Sequence, residues 1–235
     1  MSASRGRLRA VIFDRDFTLF ECGLPFYRAA AEVCATLGYA RPTLRRTKLA
    51  WLFAHDEEEY WATLLGVRGA DVIRRAEELF RRRIAAHLAL ARPYEAAREA
   101  LTELRDGGLK LALVSALPSL EATKGLLEAS GLAGLFEAVA TADLLGPELD
   151  IYTAPHAPRK RAVALRALAL LGVEPRAAAL VGDTDVDVRV AKELGLMAVA
   201  FYGPNYARLA PLLLAGPDVV VASLRQLGPA LLGAE

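Results

Sequence analysis

Two short acidic stretches hold the residues of this chain best suited to chemistry. The first, "DRD" at 14–16, follows the apolar run "LRAVIF" (8–13), and the second, "GDTDVD" at 182–187, grows out of "AALVGD" (178–183). Together they contain five of the eleven Asp residues of the 235-residue sequence. Carboxylates placed this closely repel one another unless something positive sits between them. Two readings follow, a solvated turn or a cation site. Ligands of open α/β sheets bind at the carboxyl ends of strands, so both acidic groups are expected to meet in one crevice, where a divalent cation resolves the repulsion. Oxygen ligands without a His partner suit Mg²⁺, which is commonly held by a few carboxylates together with phosphate and water.

Two further residues belong to the same edge. Ser115 ends the run "LKLALVS" (109–115), where a hydroxyl and neighbouring backbone N–H groups can bind a phosphoryl oxygen at a helix start. Lys160 opens a helical stretch, and its ammonium can neutralise charge on a nucleophile and on a phosphoryl group.

Strands and helices must bring these residues together. Apolar runs rich in Val, Ala and Ile recur at 8–13, 109–115, 136–141, 178–183, 196–202 and 218–223, and stretches of helical period at 119–130, 159–171, 186–194 and 204–213 separate the last five. Strands alternating with helices predict a parallel sheet covered on both faces. Between the first two strands there is no strand pattern, only helical ones at 24–38, 43–54, 57–65, 70–90 and 95–106. "RPT" and "DEEE" signal starts, and Gly38 and Gly66 signal stops. The fold class expected is α/β, a Rossmann-like parallel-sheet core formed by residues 1–20 and 95–235, interrupted by an inserted α-helical cap domain at 21–94.

The ordered set "DRDFT" (14–18), Ser115, Lys160 and "GDTDVD" (182–187) resembles the four motifs of the haloacid dehalogenase-like superfamily. The helical insertion resembles the cap of its phosphoglycolate phosphatase and β-phosphoglucomutase branch. The resemblance implies that Asp14 is the nucleophile and Asp16 the general acid/base. Ser115 and the Ala116 backbone bind phosphate, Lys160 stabilises charge, and Asp14, Asp16, Asp183 and Asp187 form the Mg²⁺ site. It implies a phosphatase for a small phosphorylated metabolite, acting through an aspartyl-phosphate. A phosphomutase on the same scaffold and a non-catalytic metal-binding or interaction module are the alternatives. Family members usually carry Gly where Phe17 stands, and often Asn where Ala116 stands, so the loop after Asp16 is expected to need explanation.

Other residues have competing roles. Phe17, Cys22, Phe26 and Tyr27 fall near the expected hinge and cap entrance, while Trp51, His55 and Trp61 fall on cap helices, where aromatic residues at helical spacing usually pack. His156 lies close in sequence to Lys160. Arg41, Arg45, Arg46 and Lys48 form either a solvated helix face or a cap surface for an anionic substrate. Asp185 is read as a solvated helix-start residue.

Composition narrows the classes. A formal net charge of +1 lacks the electrostatic footprint of a nucleic-acid binder. No apolar run reaches membrane-span length, the N-terminal run is too short for a signal core, and two cysteines without metal or redox spacing fit a reducing cytoplasm. A monomer or homodimer acting on a small molecule is expected.

Overall fold

The computed structural model describes residues 7–54, 56–204 and 206–233. Strand β1 (Ala10–Asp14) is followed by the two-residue β2 (Phe20–Glu21) and by helices α1 (Gly23–Thr36), α2 (Leu44–Phe53), α3 (Glu57–Leu65) and α4 (Ala70–Arg83). The two-residue β3 (Arg92–Pro93) leads through α5 (Ala97–Asp106) to β4 (Lys110–Ser115), α6 (Leu120–Ala129) and β5 (Ala138–Thr141). The chain continues with α7 (His156–Leu171), β6 (Ala178–Gly182), α8 (Asp185–Leu194), β7 (Met197–Phe201), α9 (Leu209–Leu214), β8 (Val219–Val221) and α10 (Leu227–Leu232). Six strands form one parallel sheet in the order β5-β4-β1-β6-β7-β8. The α/β, Rossmann-like expectation is borne out.

The side-chain period of two along β1 builds the core. Val11 and Phe13 join the cluster containing Leu101 and Leu104 of α5 and Leu126 and Leu127 of α6. Ala10 and Ile12 join the other cluster, with Val163 and Ala167 of α7 and Val188 and Ala191 of α8. A central strand buried on both faces has to be apolar throughout, and all five residues of β1 are buried.

Register then fixes which residues emerge together. Asp14 pairs with Val114 and Phe13 with Val181. Ser115 and Asp183 therefore lie within a residue or two of Asp14's level on the flanking strands, at the carboxyl edge where parallel strands all end.

Between β2 and β3 the described residues form helices α1 to α4, and the antiparallel pairing of Phe20 with Pro93 and Glu21 with Arg92 ties the two crossing segments together. Local signals explain the helix ends. Asp56 caps α3 by accepting from the Glu59 N–H at 2.8 Å, and Glu57 to Glu59 place negative charge in its first turn. Gly66 ends that helix at φ 71°. The helix expected over 70–90 ends at Arg83 and continues as a tighter 3₁₀ segment, Ile84–Leu90. The β2–β3 ribbon and α10 lie outside the sequence expectation because two-residue strands and a six-residue helix offer too few positions for a period to show. No helix of the described residues is long and apolar enough to cross a membrane.

Candidate active site

Asp14 ends β1, and Arg15 keeps the backbone in the sheet by donating its N–H to the Val114 carbonyl at 3.0 Å. The strand ends there, Arg15 lies in a turn, and Asp16 bridges to Phe20. Asp14 is ion-paired to the Lys160 ammonium, which also lies 2.8 Å from Asp187. Lys160 reaches them from the first turns of α7 with 2% of its surface exposed. Asp187 is held by a reciprocal cap at the start of α8. Thr184 donates to it from the hydroxyl at 2.6 Å and from the backbone at 3.1 Å, and the Thr184 hydroxyl accepts from the Asp187 N–H.

Asp14, Asp183 and Asp187 each offer a carboxylate oxygen within 4.8 Å of the others, and all three are buried. Asp183 Oδ1 accepts from the Thr18 hydroxyl at 3.4 Å, whereas its Oδ2 is buried with no hydrogen-bond partner. Leaving a buried carboxylate oxygen unpaired is costly, and Lys160 alone contacts two of the three carboxylates. An oxygen-only, net-negative, partly unsatisfied set is what a hard divalent cation requires. The residues present fit Mg²⁺.

Electrostatics agree with that deficit. Burial lifts the Asp14 carboxyl well above the usual carboxylate range against the pull of Lys160, and burial pushes Asp183 up to about 7. Burial also works against charge on Asp187 and Lys160. Attraction overcomes it, Asp14 and then Asp187 holding Lys160 high and Lys160 holding Asp187 low.

Asp16 stands apart from the cluster. Its carboxylate accepts from Arg15 Nε at 3.1 Å and Nη2 at 2.8 Å, and from the Ser115 hydroxyl at 3.1 Å. Burial would raise its pKa, but the Arg15 fork and Ser115 lower it below the ordinary value. Ser115 thus sits at the site as expected, and its hydroxyl also accepts the Leu117 N–H at 3.2 Å, which shapes the loop through Ala116.

Arg15 was not legible as a site residue, because an Arg at a strand end ordinarily reads as solvated. It is fully buried and donates to Ser119 at 2.6 Å and to Thr123, 104 and 108 residues away. Phe17 accounts for the missing glycine. It adopts φ 59°, the left-handed conformation the turn demands, and its ring packs at 5.0 Å from Phe26 and 5.1 Å from Trp51.

Above this edge lies a pocket whose floor includes Asp14, Asp16, Ser115, Ala116, Lys160 and Asp183. Phe26, Trp51, Tyr60, Trp61 and Phe80 supply aromatic walls from α1 to α4, so Trp51 and Trp61 pack and line the pocket at once. Glu57, Arg81, Arg159 and His156 add polar groups. Burial lowers the His156 pKa to about 4, so the ring is neutral at pH 7. Arg45 and Arg46 instead line a separate groove beside Leu49 and Phe53, and Lys48 pairs with Glu21 at 3.1 Å. Neither Cys22 nor Tyr27 belongs to the pocket wall. Asp185 pairs with Arg189 at the α8 surface, and His55 lies outside the described residues.

Residues 8–195 match the family model described as haloacid dehalogenase-like hydrolase. The chain belongs to that family. It is 28% identical over 205 residues to phosphoglycolate phosphatase of Aquifex aeolicus (strain VF5), covering 83% of this chain and 86% of that protein. It is also 28% identical to phosphoglycolate phosphatase 1 of Pseudomonas aeruginosa over 240 residues, 94% of this chain and 79% of that one. A crystal structure of a predicted phosphatase from Clostridium acetobutylicum superimposes with a TM-score of 0.76 at 19% identity, covering 97% of this chain and 100% of that one, which shows a shared fold. The expectation of a hydrolase of this superfamily is borne out, and a phosphatase is the enzyme that these likenesses support.

Proposed function

We propose that the chain is a Mg²⁺-dependent phosphatase that hydrolyses a small phosphorylated metabolite through an aspartyl-phosphate on Asp14. The observation that carries this reading is the buried Asp14–Lys160–Asp187 chain beside the unpartnered oxygen of Asp183, at the floor of a pocket walled by the inserted helices. Asp14, Asp183 and Asp187 would hold the cation, which when bound screens the repulsion between a carboxylate and phosphoryl oxygens.

Asp14 attacks phosphorus, forming the acyl-phosphate bond as the ester P–O bond breaks. Lys160 offsets charge on the nucleophile and the phosphoryl group. The Ser115 hydroxyl and the backbone N–H of Ala116 orient the phosphoryl oxygens. Asp16 gives a proton to the leaving oxygen and later takes one from the water that hydrolyses the intermediate. Arg15 and Ser115 favour its ionised form, which suits the second of these steps. A phosphate dianion entering beside it favours protonation and so prepares the first.

The helices of 21–94 act in this reading as a cap that excludes bulk water and selects the leaving group, with the β2–β3 ribbon as its hinge. In this reading the substrate is a soluble metabolite and the enzyme acts in the cytoplasm. Two relatives are phosphoglycolate phosphatases, so a phosphorylated hydroxy acid of that size is the first substrate to assay. A panel of phosphorylated metabolites and one aryl phosphate, each with Mg²⁺ and with EDTA, tests the proposal. Phosphate release that requires Mg²⁺ is expected. Release from no ester would overturn it.

A further inference from the structure

Glu57 begins α3, on the inserted helices, yet its carboxylate is bound from the sheet domain. Arg159, directly before Lys160 on α7, donates through Nη2 to both Glu57 oxygens at 3.0 Å. The same guanidinium donates through Nη1 to the Ala116 carbonyl and through Nε to the Ala154 carbonyl at 3.0 Å. Arg81 of α4 also pairs with Glu57, and it donates to the Tyr152 carbonyl of the loop that precedes α7. Arg82 covers the Tyr152 ring at 4.0 Å. Arg159 and Arg81 are 0% and 2% exposed.

Two buried guanidinium groups are expensive to desolvate, and Glu57 supplies the charge that both pair with. Arg159 has none of its nitrogens idle. Its three connections join the inserted helices, the loop after Ser115 and the entry to the helix that carries Lys160. A planar fork fixes the directions of all its partners at once, which an ammonium cannot do. None of the three residues belongs to the carboxylate cluster that would hold the cation.

We infer that Glu57 and Arg159 are positioning residues, through which docking of the inserted helices sets the Ser115–Leu117 loop and Lys160 in their working places. The inference rests on the phosphatase reading for its kinetic consequence. Contacts that the leaving group makes with the inserted helices then hold Glu57 on Arg159, and binding energy remote from phosphorus appears in kcat instead of in affinity. The aromatic walls give the leaving group something to bind, and the fork transmits the result to the phosphate end.

The test uses the full chain with Mg²⁺ and two variants, Glu57→Gln and Arg159→Lys. Gln keeps the shape of Glu57 without its charge. Lys keeps a charge for Glu57 but cannot hold the carbonyls of Ala116 and Ala154 as well. On a cleaved substrate each variant is expected to lose about tenfold or more in kcat with KM changed by less than about twofold, and the double variant to lose about as much as either single one. A loss confined to KM, or additive losses, would overturn the inference. Amide hydrogen exchange in the absence of substrate supplies the second readout. Exchange at Ala116 to Ser119 should accelerate in both variants while the strand β6 stays protected. Unchanged exchange in that loop would overturn the inference. Should the wild-type chain release phosphate from no ester, the phosphatase reading fails by itself, and the exchange measurement still decides whether Glu57 and Arg159 position the loop. If one variant does not fold, the other carries both readouts.

Discussion

Phe17 occupies a backbone position that glycine takes more readily, and its ring explains why the chain tolerates this. A left-handed conformation costs a side chain about 1–2 kcal/mol, whereas deleting a well-packed buried Phe costs about 3–5 kcal/mol. Phe17→Gly is therefore expected to destabilise the protein by roughly 2 kcal/mol despite relieving the strain, as read by urea unfolding; stabilisation would contradict the packing account. Arg15 makes the opposite kind of case. It lends charge to Asp16 and hydrogen bonds to Ser119 and Thr123 from full burial. Arg15→Met should cost about 3–5 kcal/mol because it leaves a buried carboxylate uncompensated, again by urea unfolding; a cost within experimental error would show that water replaces the guanidinium. Asp14, Asp16, Ser115 and Asp183 were legible because each stands at or just past the end of an apolar run, and Lys160 because it opens the helix between two such runs. Arg15, Glu57, Arg81 and Arg159 were not, since charged residues on helices and turns read as solvated and their partners lie far along the chain.

At the scale of elements, apolar runs foretold the six sheet strands to within a few residues, because a strand buried on both faces leaves an unbroken apolar signature. The helices announced themselves through their caps, as at Asp56 and Gly66. What stayed hidden depends on tertiary pairing, such as the Phe20–Pro93 ribbon and the way α3 meets α7 through Glu57. That meeting has an acid signature. Burial opposes ionisation of Glu57, but Arg159 and Arg81 prevail and depress its pKa to about 2 from 4.5. A folded-state pKa below the unfolded one stabilises above the unfolded value, and the stabilisation fades as pH falls through the folded value. Wild type should thus lose about 3 kcal/mol between pH 4.5 and 2 that Glu57→Gln does not lose. Parallel denaturant titrations at stepped pH check this, and identical pH slopes in the two proteins would contradict it.

For the whole molecule, the sheet brings acids from both ends of the sequence to one edge, and the inserted helices close a pocket over them. The arrangement predicts that Mg²⁺ stabilises the fold, since any ligand that binds only the native state does so by mass action. A saturating addition should raise the melting temperature of wild type, while Asp183→Asn should weaken half-saturation by about tenfold or more. An unchanged half-saturating concentration would remove Asp183 from the ligand set.

In the proposed mechanism the phosphoryl group passes through Asp14. Asp16→Ala retains the nucleophile but lacks the base for the second step, so mixing it with an aryl phosphate and Mg²⁺ should give a burst of about one leaving group per enzyme. Aryl oxyanions leave with little protonic help, which keeps the first step open in this variant. Acid quenching within the burst, followed by proteolysis and mass spectrometry, should place a phosphoryl group on the peptide containing Asp14, and Asp14→Asn should carry none. A burst with the phosphoryl group on another residue, or wild-type turnover with no trapped intermediate in Asp16→Ala, would contradict the mechanism.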